Sequence, residues 1–162
     1  MLASTSGKSE YTFKETLQEL QGLMTGRWMT DLANAAALLN SRFKDINWIG
    51  FYLVDFQDSA ETLWLGPFQG LPACTMIPFN KGVCGASATQ KKSLRVEDVD
   101  QFPGHIVCDS RSRSEVVVPM IYNGQTIGVL DVDSASLNRF NEDDQKFFEE
   151  AVRIIMSGRT KF

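Results

Sequence analysis

The spacing of apolar residues along the chain changes between a helical and an extended period. Apolar side chains recur every three or four residues over 12–24 and again over 28–43, with Gly26 at the junction, which predicts two amphipathic helices. A shorter helix is predicted over 82–90. The last helix is expected to begin near Asn141, whose side chain can cap the apolar-periodic segment that follows it.

Between the helices the pattern has a period of two, which is typical of strands. Residues 46–54 are β-branched and aromatic, and alternation places Trp48, Gly50 and Tyr52 on one face of the predicted strand. The residues between them form an apolar face that suits packing against helices. The face with Trp48 and Tyr52 suits the wall of a pocket, because Gly50 leaves room beside the two rings.

Five further strands complete the pattern, and the longest two form a hairpin around Asn123-Gly124, a strong turn signal. They are predicted at 62–67, 75–77, 93–96, 115–122 and 125–134. Residues 98–114 show no periodicity, and a stretch of that length in a compact domain usually acts as a lid or a binding element. The order of elements predicts an α+β domain, one sheet with helices packed on it, over 12–162 after a flexible tail at 1–11.

Composition narrows the classes of function. The chain has 162 residues, enough for one domain with its own core, and a net charge of −4, which argues against a nucleic-acid or anionic-membrane surface. No apolar run approaches the roughly 18 residues of a membrane span, and the polar start lacks the apolar segment of a secretion signal. A cytoplasmic protein is therefore expected.

Cys74, Cys84 and Cys108 are the chain's three cysteines, an odd number that cannot be fully paired within one chain. In a reducing compartment any disulfide among them would be transient, and therefore catalytic or regulatory. The spacings lack a Cys-x-x-Cys pair, and the chain's one histidine, His105, is the only imidazole that could join them. The three cysteines and His105 are therefore not expected to form a metal site.

Acidic residues near the end of the hairpin are candidates for acid catalysis. Asp131 and Asp133 lie two apart on one strand and so share a face, where mutual repulsion raises the pKa of one carboxyl toward neutrality. The same spacing also occurs where a strand simply emerges into solvent. A two-residue hairpin turn would pair Glu115 with Val132 and point it away, whereas a longer turn or a bulge would bring it to Asp133.

Cys108 follows a Pro-Gly turn in the long irregular stretch, where a thiol can be exposed. A reactive cysteine needs a positive or hydrogen-bonding environment, for which His105, Arg111 and Arg113 are candidates. The alternative for each cysteine is a small buried side chain without chemistry.

Several segments taken in order resemble one family, the free methionine-(R)-sulfoxide reductases, a catalytic branch of the GAF fold. The segments are DINWIGFYL, LGPFQG, AC-x9-CG, PGHIVCDSRSRSEVVVP and IGVLDVDS. The resemblance extends from about Leu17 to the last helix. It implies a six-stranded antiparallel sheet with helices on one face and a ligand cavity on the other.

The resemblance also implies reduction of free L-methionine (R)-S-oxide without a bound cofactor, with thioredoxin as external reductant and a homodimeric assembly. By motif, Cys108 is the nucleophile and Cys74 the resolving thiol, a task that Cys84 could share. Trp48 would cover the substrate methyl group, beside Tyr52 on the same face. The substrate sulfoxide would be surrounded by three acids, Glu115, Asp131 and Asp133.

The sequence also allows two other functions. A non-catalytic GAF module that senses a small ligand or redox state would have the same fold without turnover. An α+β interaction protein would have buried, inert thiols that form no disulfide when a sulfoxide is added.

Overall fold

The computed structural model describes residues 11–159, which form four α-helices and six β-strands. The helices are α1 (Phe13–Leu23), α2 (Trp28–Arg42), α3 (Gly82–Gln90) and α4 (Glu142–Met156). The strands are β1 (Trp48–Asp55), β2 (Ser59–Gln69), β3 (Met76–Pro78), β4 (Leu94–Val96), β5 (Ser114–Tyr122) and β6 (Gln125–Ser134). All but the last residue of the predicted tail at 1–11 lies outside the described residues.

The strands form one antiparallel sheet in the order β3-β2-β1-β6-β5-β4. The predicted α+β architecture is confirmed, including the position of every helix. Within 11–159, no helix is both long and apolar enough to cross a lipid bilayer.

Side-chain caps explain where α1 and α4 begin. Thr12 accepts a hydrogen bond from the backbone of Glu15, whose carboxylate in turn accepts one from the Thr12 backbone. Asn141 and Asp144 make the same reciprocal pair at the start of α4, as the sequence predicted for Asn141. Both helices therefore start at residues whose side chains satisfy otherwise unpaired backbone groups.

The sheet separates two apolar clusters. α1, α2 and α4 cover one face and pack against Ile49 and Phe51 of β1. The other face carries Trp48 and Tyr52, with α3 packed over it through Val83 and Cys84. The predicted alternation along β1 is thus confirmed, and the second face is the one that builds the candidate site.

The expected space beside Gly50 is occupied by protein. A Cβ atom at Gly50 would lie 2.3 Å from the Cβ of Phe68 and 2.8 Å from the Trp48 ring. The glycine therefore allows Phe68 of β2 to approach and stack on Trp48, instead of leaving room for a ligand. This expectation was wrong because the strand that pairs with β1 here could not be seen from β1 alone.

β2 is longer than predicted at both ends. It begins at Ser59, three residues before the predicted start at residue 62, because Ser59 already pairs with Asp55 of β1. The irregular segment 98–114 is confirmed apart from a short 3-10 turn at Val99–Gln101, and β5 begins at Ser114.

A β-bulge sets the register of the β5–β6 hairpin. Asn123 and Gly124 form a two-residue turn with φ values of 49° and 75°, and the pairing shifts by one residue past Ile121. Beyond the shift, Glu115 lies opposite Asp133. The bulge is one of the arrangements that the sequence required for the three acids to meet.

Candidate active site

Three carboxyl groups converge on the sheet face that α3 covers. Glu115 of β5 is the cross-strand partner of Asp133 on β6, and Asp131 lies two residues along the same strand. Glu115 and Asp131 are buried, with 6% of each residue exposed. The clustering predicted as one of two alternatives is therefore present in the structure.

Cys84 reaches the same cluster from the first turn of α3. Its Sγ atom lies 3.7 Å from Oε1 of Glu115, and the side chain is buried. The next residue, Gly85, lets α3 pack against the end of β3, since a Cβ atom there would lie 2.5 Å from the carbonyl oxygen of Pro78. The cluster therefore joins one thiol and three carboxyls.

Burial raises the pKa of every acid in the cluster. It raises the pKa of Glu115 to about 8, and the nearby charge of Asp133 adds to this effect. Burial, and then the charge of a neighbouring carboxylate, also raise the pKa values of Asp131 and Asp133. At neutral pH Glu115 is therefore protonated, and its carboxyl can donate a hydrogen bond or a proton.

One atom of the cluster has no partner. Among the described residues, Oδ1 of Asp131 is buried and accepts no hydrogen bond. Such an atom is costly to leave unpaired, and it often marks where a ligand or a water binds. Asp131 borders the cavity described below.

A disulfide joins Cys74 to Cys108, with their Cα atoms 5.1 Å apart. It links the segment before β3 to the irregular segment 98–114. Cys84 is the free thiol, and burial raises its pKa well above the usual value. The cysteine that pairs with Cys108 in this structure is thus Cys74.

A polar network fixes the residues that follow Cys108. The side-chain amide of Asn47 donates to Oδ2 of Asp109 at 3.2 Å and to the hydroxyl of Ser112 at 3.1 Å. Arg111 pairs with Asp109 at 2.7 Å and lowers the pKa of that carboxyl to about 2. None of Asn47, Asp109 and Ser112 was predicted from the sequence, although the polar run directly after Cys108 was a signal for the last two.

The expected positive environment of Cys108 is only partly present. Arg111 is engaged with the Asp109 carboxylate, whose charge offsets its own. His105 borders the cavity, and burial lowers its pKa, so its imidazole is neutral at pH 7. Neither residue supplies an uncompensated cation beside the sulfur in this disulfide form.

Three aromatic rings lie beneath the disulfide. Trp48 stacks on Tyr52 with ring centroids 5.8 Å apart and on Phe68 at 5.3 Å. The Trp48 indole donates a hydrogen bond to the carbonyl of Leu71 at 3.2 Å, and the Tyr52 hydroxyl donates to the carbonyl of Cys74 at 3.0 Å. These bonds hold the segment 70–74 over the rings.

A small cavity lies between the disulfide, α3 and the acids, with a volume of about 30 Å³. Cys84, Cys108 and the three carboxyl residues line it, whereas Trp48 and Tyr52 do not. This volume holds one or two water molecules, far below the roughly 300 Å³ of typical ligand pockets. The disulfide form is therefore closed to a ligand the size of an amino acid.

The cluster also includes the side chains best placed to hold a cation in the described part of the chain. One ligand atom each of Cys84, Glu115 and Asp131 lies within 4.8 Å of the others. The expectation of no metal site considered only cysteine and histidine spacing, so it did not test this group.

Known proteins resemble this chain over most of its length. A GAF domain family model matches residues 30–157. A free methionine-R-sulfoxide reductase of Saccharomyces cerevisiae is 42% identical over 159 residues, covering 94% of this chain and 88% of that protein. One of Escherichia coli is 43% identical over 147 residues, covering 90% and 86%.

A solved structure of a protein with the same name is also similar to this chain. The free methionine-R-sulfoxide reductase from Neisseria meningitidis, in complex with its substrate, superposes with a TM-score of 0.86 at 40% identity, covering 96% of this chain and 93% of that one. The fold, the closed thiol–carboxyl cluster and these similarities over nearly the whole chain lead to one assignment. The chain belongs to the free methionine-(R)-sulfoxide reductase branch of the GAF-domain family.

Proposed function

We propose that this protein reduces free L-methionine (R)-S-oxide to L-methionine through a thiol of its own. The observation that most supports this function is the Cys74–Cys108 disulfide beside a cluster of three carboxyls whose pKa values are raised. A disulfide next to an acid cluster is the oxidised product expected after one turnover of such an enzyme. The similarity to two proteins named free methionine-R-sulfoxide reductase supports free methionine (R)-sulfoxide as the substrate.

Cys108 attacks first. Its thiolate adds to the sulfoxide sulfur while a neighbouring carboxyl protonates the sulfoxide oxygen, and methionine leaves as Cys108 becomes a sulfenic acid. Cys108 suits this role because it lines the cavity beside the acids, whereas Cys74 does not.

Glu115 is the best candidate for the proton donor. Its pKa of about 8 keeps it protonated at neutral pH, and it can release the proton to the sulfoxide oxygen as attack of the thiolate makes that oxygen basic. Asp131 and Asp133, also with raised pKa values, would position the sulfoxide by hydrogen bonding. The unpaired Oδ1 of Asp131 supports a ligand contact at this point.

Cys74 resolves the sulfenic acid. Its thiol displaces hydroxide from Cys108, water leaves and the disulfide forms. Cys84 is less suited to this task because burial raises the pKa of its thiol and its Sγ atom contacts Glu115. Thioredoxin then reduces the disulfide by thiol–disulfide exchange, so no bound cofactor is needed.

The aromatic face contributes to substrate recognition. Once the disulfide opens, movement of the segment 70–74 would expose Trp48 and Tyr52, and the indole would then cover the substrate methyl group. The start of α3 lines the cavity beside the acids through Gly82 and Val83. A helix N-terminus favours a negative charge, here the α-carboxylate of a free amino acid.

The decisive experiment is turnover of the separate (R) and (S) epimers of free methionine sulfoxide with dithiothreitol as reductant. We expect methionine release from the (R) epimer alone. Equal rates with both epimers, or no release from either, would refute the proposed function.

Single cysteine variants assign the steps. Cys108→Ser should abolish methionine formation. Cys74→Ser should release about one equivalent of methionine in a single turnover and then lose thioredoxin-dependent recycling. Cys84→Ser is the matched control and should retain both, and loss of recycling in it instead would move the resolving role to Cys84.

A further inference from the structure

One thiol and two carboxyls meet at the first turn of α3. One ligand atom each of Cys84, Glu115 and Asp131 lies within 4.8 Å of the others, and all three side chains are buried. Sγ of Cys84 is 3.7 Å from Oε1 of Glu115. In a tetrahedral zinc site, a sulfur and an oxygen ligand lie roughly 3.5 Å apart, because the bonds are about 2.0–2.3 Å long. Two of the three atoms are therefore already at the separation that one zinc-sized cation requires.

Two buried polar atoms beside this group lack partners. Among the described residues, Oδ1 of Asp131 and Nδ1 of His105 are buried and form no hydrogen bond. Both residues line the same cavity as Cys84 and Glu115. Asp131 is only 6% exposed, so bulk solvent does not satisfy its oxygen. A buried unpaired oxygen next to a thiol and a second carboxyl points to a ligand that accepts lone pairs, which is what a cation does.

The ligand set favours a zinc-like cation over the other common divalent ions. Zn²⁺ binds thiolate and carboxylate together, whereas Mg²⁺ and Ca²⁺ prefer six or more oxygen ligands. The cavity of about 30 Å³ admits a cation with one water, but it does not admit Mg²⁺ with the several waters that this ion retains. Cys84 is also the free thiol of the disulfide form, so it can bind a metal while Cys74 and Cys108 are joined.

We propose that Cys84, Glu115 and Asp131 form a binding site for one Zn²⁺ ion, and that the bound ion inhibits the reductase. The inhibition rests on the proposed function, whereas the binding does not. The thiol and the two carboxyls release any protons that they carry to solvent and become anionic ligands. Water takes the fourth position, and no oxidation state changes. Glu115 can then no longer donate a proton, and the ion occupies the cavity that the sulfoxide must enter.

Cadmium is the probe for the binding site, because a bond between Cd²⁺ and a thiolate absorbs in the ultraviolet and a bond to a carboxylate does not. The chain has three cysteines and two of them form the disulfide, so an absorption band in the oxidised protein must come from Cys84. We expect the band to saturate at one equivalent of Cd²⁺. The Cys84→Ser variant should show no band.

Two further variants keep the thiol and test the carboxyl ligands. Asp131→Asn and Glu115→Gln should each raise the Kd for Cd²⁺ at least about ten-fold, the smallest loss typical when even an outer partner of a metal site is removed. Glu61→Gln, at an exposed acid on β2, is the matched control and should leave the Kd unchanged. Absence of the band in the oxidised protein, or the Kd of the control in both carboxyl variants, would overturn the site.

Inhibition is measured in a single turnover of reduced protein freed of dithiothreitol, because that reductant itself binds Zn²⁺. Zn²⁺ should abolish methionine release from the (R) epimer, and a chelator should restore it. Cys84→Ser, compared with its own metal-free rate, should need at least about ten-fold more Zn²⁺ for the same inhibition. Equal zinc sensitivity in this variant and the unchanged protein would overturn the proposed inhibition. Failure of the metal-free protein to release methionine would instead overturn the proposed function, and the cadmium titration would still decide the binding site.

Discussion

Buried acids give the candidate site its chemistry at a cost in stability. Glu115 is folded with a pKa of about 8, whereas an exposed glutamate ionises near pH 4.3. Above that value the unfolded chain releases a proton that the folded protein retains. The contribution of Glu115 to stability is therefore largest below about pH 4 and is lost as the pH rises through about 8, with a slope set by linkage.

Glu115→Gln should consequently stabilise the protein while removing activity. At pH 8 the free energy of unfolding should increase by roughly 1–3 kcal/mol, with little change at pH 4, because glutamine does not ionise. The rate of methionine release should fall about 10²- to 10⁴-fold with the loss of the acid. Denaturant unfolding at the two pH values and single-turnover assays measure both effects.

Glu61→Gln is the control for this change, since Glu61 is exposed on β2. It should alter neither quantity. A Glu115→Gln variant that is less stable than the unchanged protein at pH 8 would contradict the assigned pKa shift.

At the scale of elements, a buried ion pair joins the start of α2 to the end of the described chain. The carboxylate of Asp31 accepts hydrogen bonds from the backbone of Thr25 at 2.8 Å and of Gly26 at 3.0 Å, and it pairs with Arg159, which follows α4. Burial opposes the ionisation of Asp31, but the bonds from Thr25, Arg159 and Gly26 outweigh it and lower the pKa. This ion pair joins α2 to the segment that follows α4, on the face of the sheet opposite the site.

Asp31→Asn should destabilise the fold by about 3 kcal/mol at pH 7, because it leaves Arg159 buried without its partner. The folded-state pKa of Asp31 is lowered, so its stabilising effect is present above about pH 4 and is lost as the pH falls through the lower folded value. The difference between the two proteins in urea unfolding should therefore shrink in acid. Glu142→Gln, which breaks an exposed pair with Lys146, should cost less than about 0.5 kcal/mol at any pH.

The elements themselves were largely predictable from the sequence, because helix and strand periods depend on local spacing. The register of β5 against β6 was not, since a one-residue slip reverses which face Glu115 occupies. The bulge lies beside Gly128, where a Cβ atom would meet the Tyr52 carbonyl oxygen and the Met120 side chain, each at 2.6 Å. That close approach comes from a third strand, which no local pattern reveals.

The same limit applies to the site. The cysteines and acids were identified because their residue types carry chemistry, and the resemblance supplied their roles. Asn47 and Phe68 were missed, because an amide and a phenylalanine become informative only when folding brings Asn47 to Asp109 and Phe68 to Trp48.

At the scale of the whole molecule, the disulfide links two segments that together close the site. The segment 70–74 covers Trp48 and Tyr52, and the bond to Cys108 ties it to the irregular segment 98–114. The remaining cavity of about 30 Å³ is too small for an amino acid. We therefore expect substrate to bind only after the disulfide has been opened.

Reduced protein should accordingly bind L-methionine, the unreactive product, at least about ten-fold more tightly than oxidised protein, the ratio expected when about 1.4 kcal/mol of binding energy is lost. Isothermal titration calorimetry of the two redox forms of the same chain measures the ratio directly. The Cys108→Ser variant cannot form the disulfide. It should bind L-methionine as tightly as the reduced form does, even after the treatment that oxidises the unchanged protein. Equal affinity of the two redox forms would show that the segments 70–74 and 98–114 admit the ligand without opening the disulfide.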